Sequence, residues 1–358
     1  MLVGIIYLGQ IELCPFVDKY IKVLDKEGTP YEIIHWDRSG EPRAEDAPNV
    51  HTFTMARKRY ANPVLKGWSL FKFRQFAVKI LKEKKYDKLV VLTTITGMLL
   101  YPMLTRHYRR KFVLDYRDAS FERFSLFQTL LSKLVEASNF TSISSLGFLN
   151  ILPESGKYVV THNFKYDDVA SRNRTLTKKT SGPIHISYIG VLREAQYLKR
   201  LIDTFGNDFR FDLYIHGGGD DKDMLERYAQ QFQNVVVTGP YQESEKRRLI
   251  ENADILCYNY PCSFLNDNAL ANKFYDSIIF KRPLFANIDT YSGMLVEQHG
   301  LGIALHDGAN QVADRIYTYY KTFDQDAFCQ SAERVLKEAV QTDMEYLETL
   351  EQFLEESR

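Results

Sequence analysis

Short, continuously apolar segments recur along this chain, each followed by a stretch whose apolar positions have helical spacing. In the first half they are VGIIYLG (3–9), YEIIHW (31–36), KLVVLT (88–93), KFVLDY (111–116), TSISS (141–145) and KYVVTHN (157–163). Helical patterns fall near 12–27, 65–85, 97–107, 121–137 and 146–152. A strand buried on one face alternates apolar and polar residues, whereas most of these runs keep two to four apolar residues in a row. That pattern suits parallel strands covered by helices on both faces. Segment 165–183 is polar and without period, reads as a linker, and is followed by a second series. Its strands are IHISYIG (184–190), FDLYIHG (211–217), NVVVTG (234–239), DILCYNY (254–260), PLFAN (283–287) and GIALH (302–306). Helical segments lie near 195–206, 220–232, 243–252, 269–281, 291–299 and 308–321, and two amphipathic helices, 324–340 and 342–356, close the chain.

With 358 residues and 45% apolar content, the chain can core two domains. The expected class is α/β, with two Rossmann-like doubly wound domains facing a cleft. The boundaries read as 1–164, linker 165–183, 184–322, and C-terminal helices 323–358 that cross back to the first domain. In such sheets ligands bind beyond the carboxyl ends of the strands, and clefts between domains collect ligands.

MLVGIIYLGQIEL lacks the basic start and cleavage site of a signal peptide, and no apolar run reaches the roughly 20 residues of a membrane span. The four cysteines have no metal-ligand spacing and read as thiols of a reducing cytoplasm. Net charge is zero, but residues 1–180 hold 29 Lys+Arg against 18 Asp+Glu, while 181–358 hold 17 against 28. The basic excess gathers in 51–111, at RKR (57–59), KILKEKK (79–85) and RHYRRK (106–111). It points to an anionic partner, whether membrane phospholipid, a lipid-phosphate or nucleic acid, or to a solvated basic face. Lys72, Arg74 and Lys79 interleave with Trp68, Phe71, Phe73 and Phe76, as in a helix lying at a membrane surface.

Three stretches of the second half carry candidate chemistry. YIHGGGDDKDML (214–225) ends a strand in three glycines, Gly217 first, which taken alone read as a strand-to-helix turn. NVVVTGPYQ (234–242) ends a strand at Gly239, and Tyr241 can receive a flat nucleobase. In NDNALANKFYDSIIFKRPLFA (266–286), Asp267 and Asn268 can cap a helix starting near Ala269. Free N–H groups at such a start, with Lys273 close by, suit a phosphate. Asp276 lies one turn on, where a carboxylate can accept two bonds from a ribose diol; the plainer alternative is a surface Lys273–Asp276 ion pair.

Taken in order, YIGVL, LYIHGGG, NVVVTG, ENADILCY and NKFYDSIIFKRPLFA resemble the donor-binding domain of retaining GT-B glycosyltransferases, of the group that assembles capsules and surface polysaccharides. The likeness covers residues 184–306. In the first half, FVLDYRD (112–118) is similar to the Asp-x-Arg-Asp strand end of capsule and lipopolysaccharide members. The resemblance implies that Asp276 holds the donor ribose and Lys273 the diphosphate, and that Asp267, Asn268, Ala269 and Leu270 line the transferred sugar. Gly9, Gly217, Gly239 and Tyr241 complete the donor contacts. The chain departs from the pattern at Asn268 and Asp276, where the family has Glu, and at Gln196, where a Lys is expected; Arg193 stands in as the cation. Arg117 and Asp118 are the candidates for the acceptor side, with His162 as a further one and His216 structural.

The implied reaction is metal-independent, retaining transfer of a hexosyl group from a UDP- or GDP-sugar to a glycan or lipid-linked acceptor, with no cofactor. It would run in the cytoplasm, at the inner face of the membrane, in capsule or exopolysaccharide synthesis. A nucleotide-sugar epimerase of the same fold and a non-catalytic partner subunit are the alternatives; no nucleic-acid motif is present.

Overall fold

A computed structural model describes the chain apart from residues 40–46, 57–61, 177, 193 and 357–358. The chain forms two compact units, Met1–His162 with Gln341–Arg358, and Asn163–Val340.

The first unit contains seven strands: β1 (Val3–Tyr7), β2 (Tyr31–Asp37), β3 (Val50–Thr54), β4 (Lys88–Leu92), β5 (Phe112–Tyr116), β6 (Thr141–Ile143) and β7 (Tyr158–Val160). They form one parallel sheet in the order β3-β2-β1-β4-β5-β6-β7. Between them run α1 (Val17–Lys26), α2 (Pro63–Lys84), α3 (Thr94–Leu99), α4 (Tyr101–Arg106) and α5 (Ser125–Ala137). Val3 and Ile5 face a cluster with Tyr20, Val90, Leu92, Tyr346 and Phe353. On α2, Phe73 is fully buried and stacks on Trp36 with ring centroids 5.9 Å apart. Strand β3 has no counterpart among the expected strands, because VHTFT is mostly polar and lies half-exposed at the sheet edge. An edge strand needs only one apolar neighbour to hold it.

In the second unit, the short α6 (Tyr166–Ala170) opens the segment read as a linker. Six parallel strands follow: β8 (Ile184–Ile189), β9 (Phe211–His216), β10 (Val235–Gly239), β11 (Ile255–Tyr258), β12 (Leu284–Asn287) and β13 (Gly302–Leu305). Their order is β10-β9-β8-β11-β12-β13. The helices are α7 (Ala195–Phe205), α8 (Lys222–Ala229), α9 (Glu243–Glu251), α10 (Asn272–Phe280), α11 (Tyr291–His299) and α12 (Val312–Thr322). Alternate strand residues feed two cores, one on each face: Ile255, Cys257 and Phe285 in one, Leu256, Leu284 and Ala286 in the other. In both sheets the order in which strands are added reverses once, between β1 and β4 and between β8 and β11, the position at which such sheets open a crevice.

The two closing helices expected from the sequence are a single helix, α13 (Gln325–Glu355). No Gly or Pro interrupts these 31 residues, so nothing stops propagation at position 341. Phe328, Ala332 and Leu336 lie in a core of the second unit, and Tyr346, Leu350 and Phe353 in a core of the first.

Candidate functional site

The carboxyl ends of the second unit's strands are pressed together by glycines. Gly217 has φ +153°, and a Cβ there would lie 1.8 Å from the Gly190 carbonyl oxygen. Its N–H donates to the Gly239 carbonyl at 2.8 Å, and Leu192 N–H donates to Gly218 at 2.9 Å. The glycine run is thus a backbone junction between the loops after β8, β9 and β10. The Gly217 N–H is spent within it. His216 accepts or donates a bond with Thr238 Oγ1 at 2.8 Å, and burial lowers its pKa, in keeping with a structural role. Beside the junction, Tyr260 follows β11, stacks on Tyr197 at 5.0 Å and is hydrogen-bonded to the Tyr188 hydroxyl.

Helix α10 begins at Asn272, three residues later than the sequence suggests, and neither Asp267 nor Asn268 caps it. Asp267 accepts from Ser263 N–H at 3.1 Å, and the Asn268 amide donates to the Phe264 carbonyl at 3.0 Å. These short polar side chains close their own loop first, the usual competition between Asx turns and helix caps. The N-cap is Ala271, whose N–H is held by Ser292 Oγ at 2.9 Å, and the same hydroxyl donates to the Ala269 carbonyl. Among the described residues, no hydrogen bond occupies the N–H groups of Leu270, Asn272 and Lys273. Asn272 is exposed, so this helix start presents donors and the positive end of its dipole to solvent.

Beneath this start lies Asp276, 5% exposed. Lys273 Nζ holds its Oδ2 at 2.9 Å, as the sequence spacing suggests. Its other oxygen is held by Lys246 Nζ at 3.0 Å, from the first turns of α9. Burial would raise the Asp276 carboxyl, but the two ammonium groups hold it below the ordinary carboxylate range. Burial likewise opposes the Lys246 charge, and Asp276 reverses the effect, raising its pKa. Tyr241 is half-buried, with its phenol pKa raised by burial and coupled to both Lys246 and Asp276. Lys246 and Tyr260 escaped the sequence reading. KRRL gives Lys246 no mark to set it apart from a solvated helix face, and only the approach of α9 to α10 brings it to Asp276. Arg193 lies outside the described residues.

In the first unit, Arg117, a candidate for the acceptor side, lies inside the fold. Its guanidinium is buried, bridges Asp115 at 2.5 and 3.0 Å, and lies 4.6 Å over the Phe16 ring. Asp115 also accepts from the Tyr20 hydroxyl at 2.6 Å. Burial disfavours the Arg117 charge, but Asp115 more than offsets it, so the pKa rises. The arginine thus anchors β5 and α1. Asp118, the next residue, is exposed at the strand end and acts electrostatically on the Tyr7 phenol, which burial pushes up to about 12. Gly9 follows β1, and its carbonyl accepts from Trp36 N–H at 3.2 Å. The His162 backbone N–H donates to Asp343 at 2.8 Å, and Asp343 is bridged by Lys19 at 2.6 Å. Burial pulls the His162 pKa down to about 4, leaving a neutral imidazole at pH 7.

On α2 the expected interfacial helix is divided. Phe73 is buried and Phe76 contacts Phe53, whereas Trp68 and Phe71 are 51% and 44% exposed, with Val64 and Leu65 beside them in sequence. Lys72 Nζ lies 4.8 Å over the Trp68 ring. The RKR at 57–59 lies outside the described residues. Among the described residues, no helix is long and apolar enough to cross a membrane.

No protein-family model and no curated protein matches this chain. Solved structures do. Anabaena HepE in complex with UDP-glucose matches with TM-score 0.65 at 15% identity, over 98% of this chain and 100% of that one. The lipopolysaccharide outer core galactosyltransferase WaaB matches with TM-score 0.63 at 14% identity, over 99% of each chain. WaaG, a glycosyltransferase of lipopolysaccharide biosynthesis, matches with TM-score 0.61 at 12% identity, over 98% and 97%. Two parallel sheets of seven and six strands with flanking helices give this chain the two Rossmann-like domains of GT-B glycosyltransferases.

Proposed function

We propose that this protein is a glycosyltransferase that takes a hexosyl group from a UDP- or GDP-sugar and transfers it with retention to a hydroxyl of a glycan or lipid-linked acceptor. The observation that carries this reading is the start of α10, where open N–H groups and Lys273 form an anion-receptive surface beyond the strand ends of a doubly wound sheet. The fold it shares with HepE, solved with UDP-glucose, supports a sugar nucleotide as the anion.

In the reaction the bond from the anomeric carbon to the β-phosphate oxygen breaks, and its electron pair stays on the phosphate. The acceptor oxygen bonds to that carbon on the same face, and its proton passes to the departing phosphate. Charge growing on the leaving group is met by Lys273 and the helix start, fixed before reaction begins. Gly9, Gly239, Tyr241, Asn268, Ala269 and Leu270 are assigned to the donor and Asp118 to the acceptor. This reading assigns phosphate neutralisation to protein cations, so transfer should survive EDTA. Surface-polysaccharide synthesis, with Trp68, Phe71 and Lys72 against an anionic membrane, is the setting that the exposed face of α2 favours.

The test is a thermal-shift panel of UDP-, GDP-, dTDP- and CMP-sugars. A ligand at about 100 times its Kd should stabilise the protein by about 2.7 kcal/mol. A flat response across the panel would remove the reading; a shift accompanied by release of an epimerised sugar nucleotide without acceptor would convert it to an epimerase.

A further inference from the structure

We propose that Lys246 is a ligand of the donor's phosphates, and that Asp276 fixes the Lys246 and Lys273 ammonium groups side by side instead of gripping a ribose hydroxyl. The proposal rests on the reading of this site as a nucleoside diphosphate pocket and reassigns two of its residues.

Three observations carry it. First, both oxygens of Asp276 are engaged, Oδ1 by Lys246 at 3.0 Å and Oδ2 by Lys273 at 2.9 Å. Two cations from separate helices converge on one acid. Second, their side-chain exposure is graded: 24% for Lys246, 14% for Lys273 and 7% for Asp276. A ligand arriving from solvent meets the ammonium groups, with the carboxylate behind them. Third, the charges do not cancel. Two cations on one acid leave a surplus of one, and an ammonium has three N–H donors, of which Asp276 takes one from each lysine. The remaining donors suit a group with many acceptor oxygens and negative charge, which describes a diphosphate and not a neutral diol.

The other acids near Lys246 do not consume this surplus in the same way. Glu243 is bridged to Lys165 at 2.7 Å, and Asp168 acts on Lys246 electrostatically, without a hydrogen bond to it among the described residues. The assignment also accounts for Gln196, where the related pattern carries a lysine. The cation missing from the start of α7 is supplied from α9.

The experiment is calorimetric titration of the full chain and its Lys246→Met variant with UDP, GDP, uridine, guanosine and inorganic pyrophosphate. The native chain should bind one of the diphosphates. Lys246→Met should weaken that binding about tenfold or more, the loss expected of a charged hydrogen bond, and weaken pyrophosphate in parallel. The matching nucleoside should bind both proteins equally, and Lys246→Arg should keep most of the diphosphate affinity. Equal losses for nucleoside and diphosphate, or no loss at all, overturn the proposal while leaving the donor reading intact. Failure of the native chain to bind either diphosphate overturns the donor reading itself. Should Lys246→Met not fold, Lys246→Met/Asp276→Asn removes the cation together with its buried partner charge and carries the same comparison.

Discussion

Charged side chains in this protein do different work according to what lies within 3 Å of them, and neighbours in sequence are a poor guide to that. Arg117 and Asp118 are adjacent, yet Arg117 turns into the interior to pair with Asp115 while Asp118 stays exposed. Arg117→Ala would strand the Asp115 carboxylate without its buried partner, so it should cost about 3–5 kcal/mol in chemical denaturation. A loss of transfer with unchanged stability would return Arg117 to the acceptor side. His162 offers a pH test. Its ordinary pKa of 6.5 falls to about 4 through burial, so between these values the unfolded chain binds more protons than the folded one. The contribution is complete above pH 6.5 and is lost as pH falls towards 4. His162→Gln should therefore flatten the fall in unfolding free energy over that window; an unchanged slope would show that the imidazole is not the source.

Helices and turns test the backbone geometry. Segment 324–356 carries apolar faces that read as two helices, but its residues join without a break in α13. Gln341→Pro separates the two descriptions. In the middle of one helix it removes a hydrogen bond and clashes with the preceding turn, costing about 3 kcal/mol or more, whereas a connection between two helices would accept it. The Gly217 junction is equally specific. Alanine there must adopt φ +153° and place its Cβ 1.8 Å from the Gly190 carbonyl oxygen. Backbone strain alone costs about 1–3 kcal/mol, and the clash adds to it, so Gly217→Ala should melt well below the native protein. Of the thirteen strands among the described residues, twelve are legible in the sequence, most of them from apolar runs that match parallel strands covered on both faces; β3 is not, since an edge strand may be polar. The sequence places the start of α10 three residues early, because Asp267 and Asn268 have the chemistry of caps but bond within their own loop.

Across the chain, positive charge and exposed large apolar side chains concentrate in the first half. Residues 1–180 carry a balance of +11, and Trp68 and Phe71 stand exposed on α2 with Lys72 beside them. Trp68→Ser/Phe71→Ser should reduce co-sedimentation with anionic vesicles while leaving donor-induced stabilisation unchanged. Equal sedimentation of both proteins would confine the basic excess to solvation.

Most of the secondary structure, the parallel class of both sheets and the short-range Lys273–Asp276 pair were written in the chain, because each depends on residues close together or on a simple apolar rhythm. The second lysine on Asp276, the capture of Arg117 by Asp115 and the closure of the glycine junction were not. The first and last join segments far apart in the chain, while Arg117 and Asp115, only two residues apart, are paired because the fold buries both against α1; in each case only tertiary packing removes enough water to make one partner preferable to another.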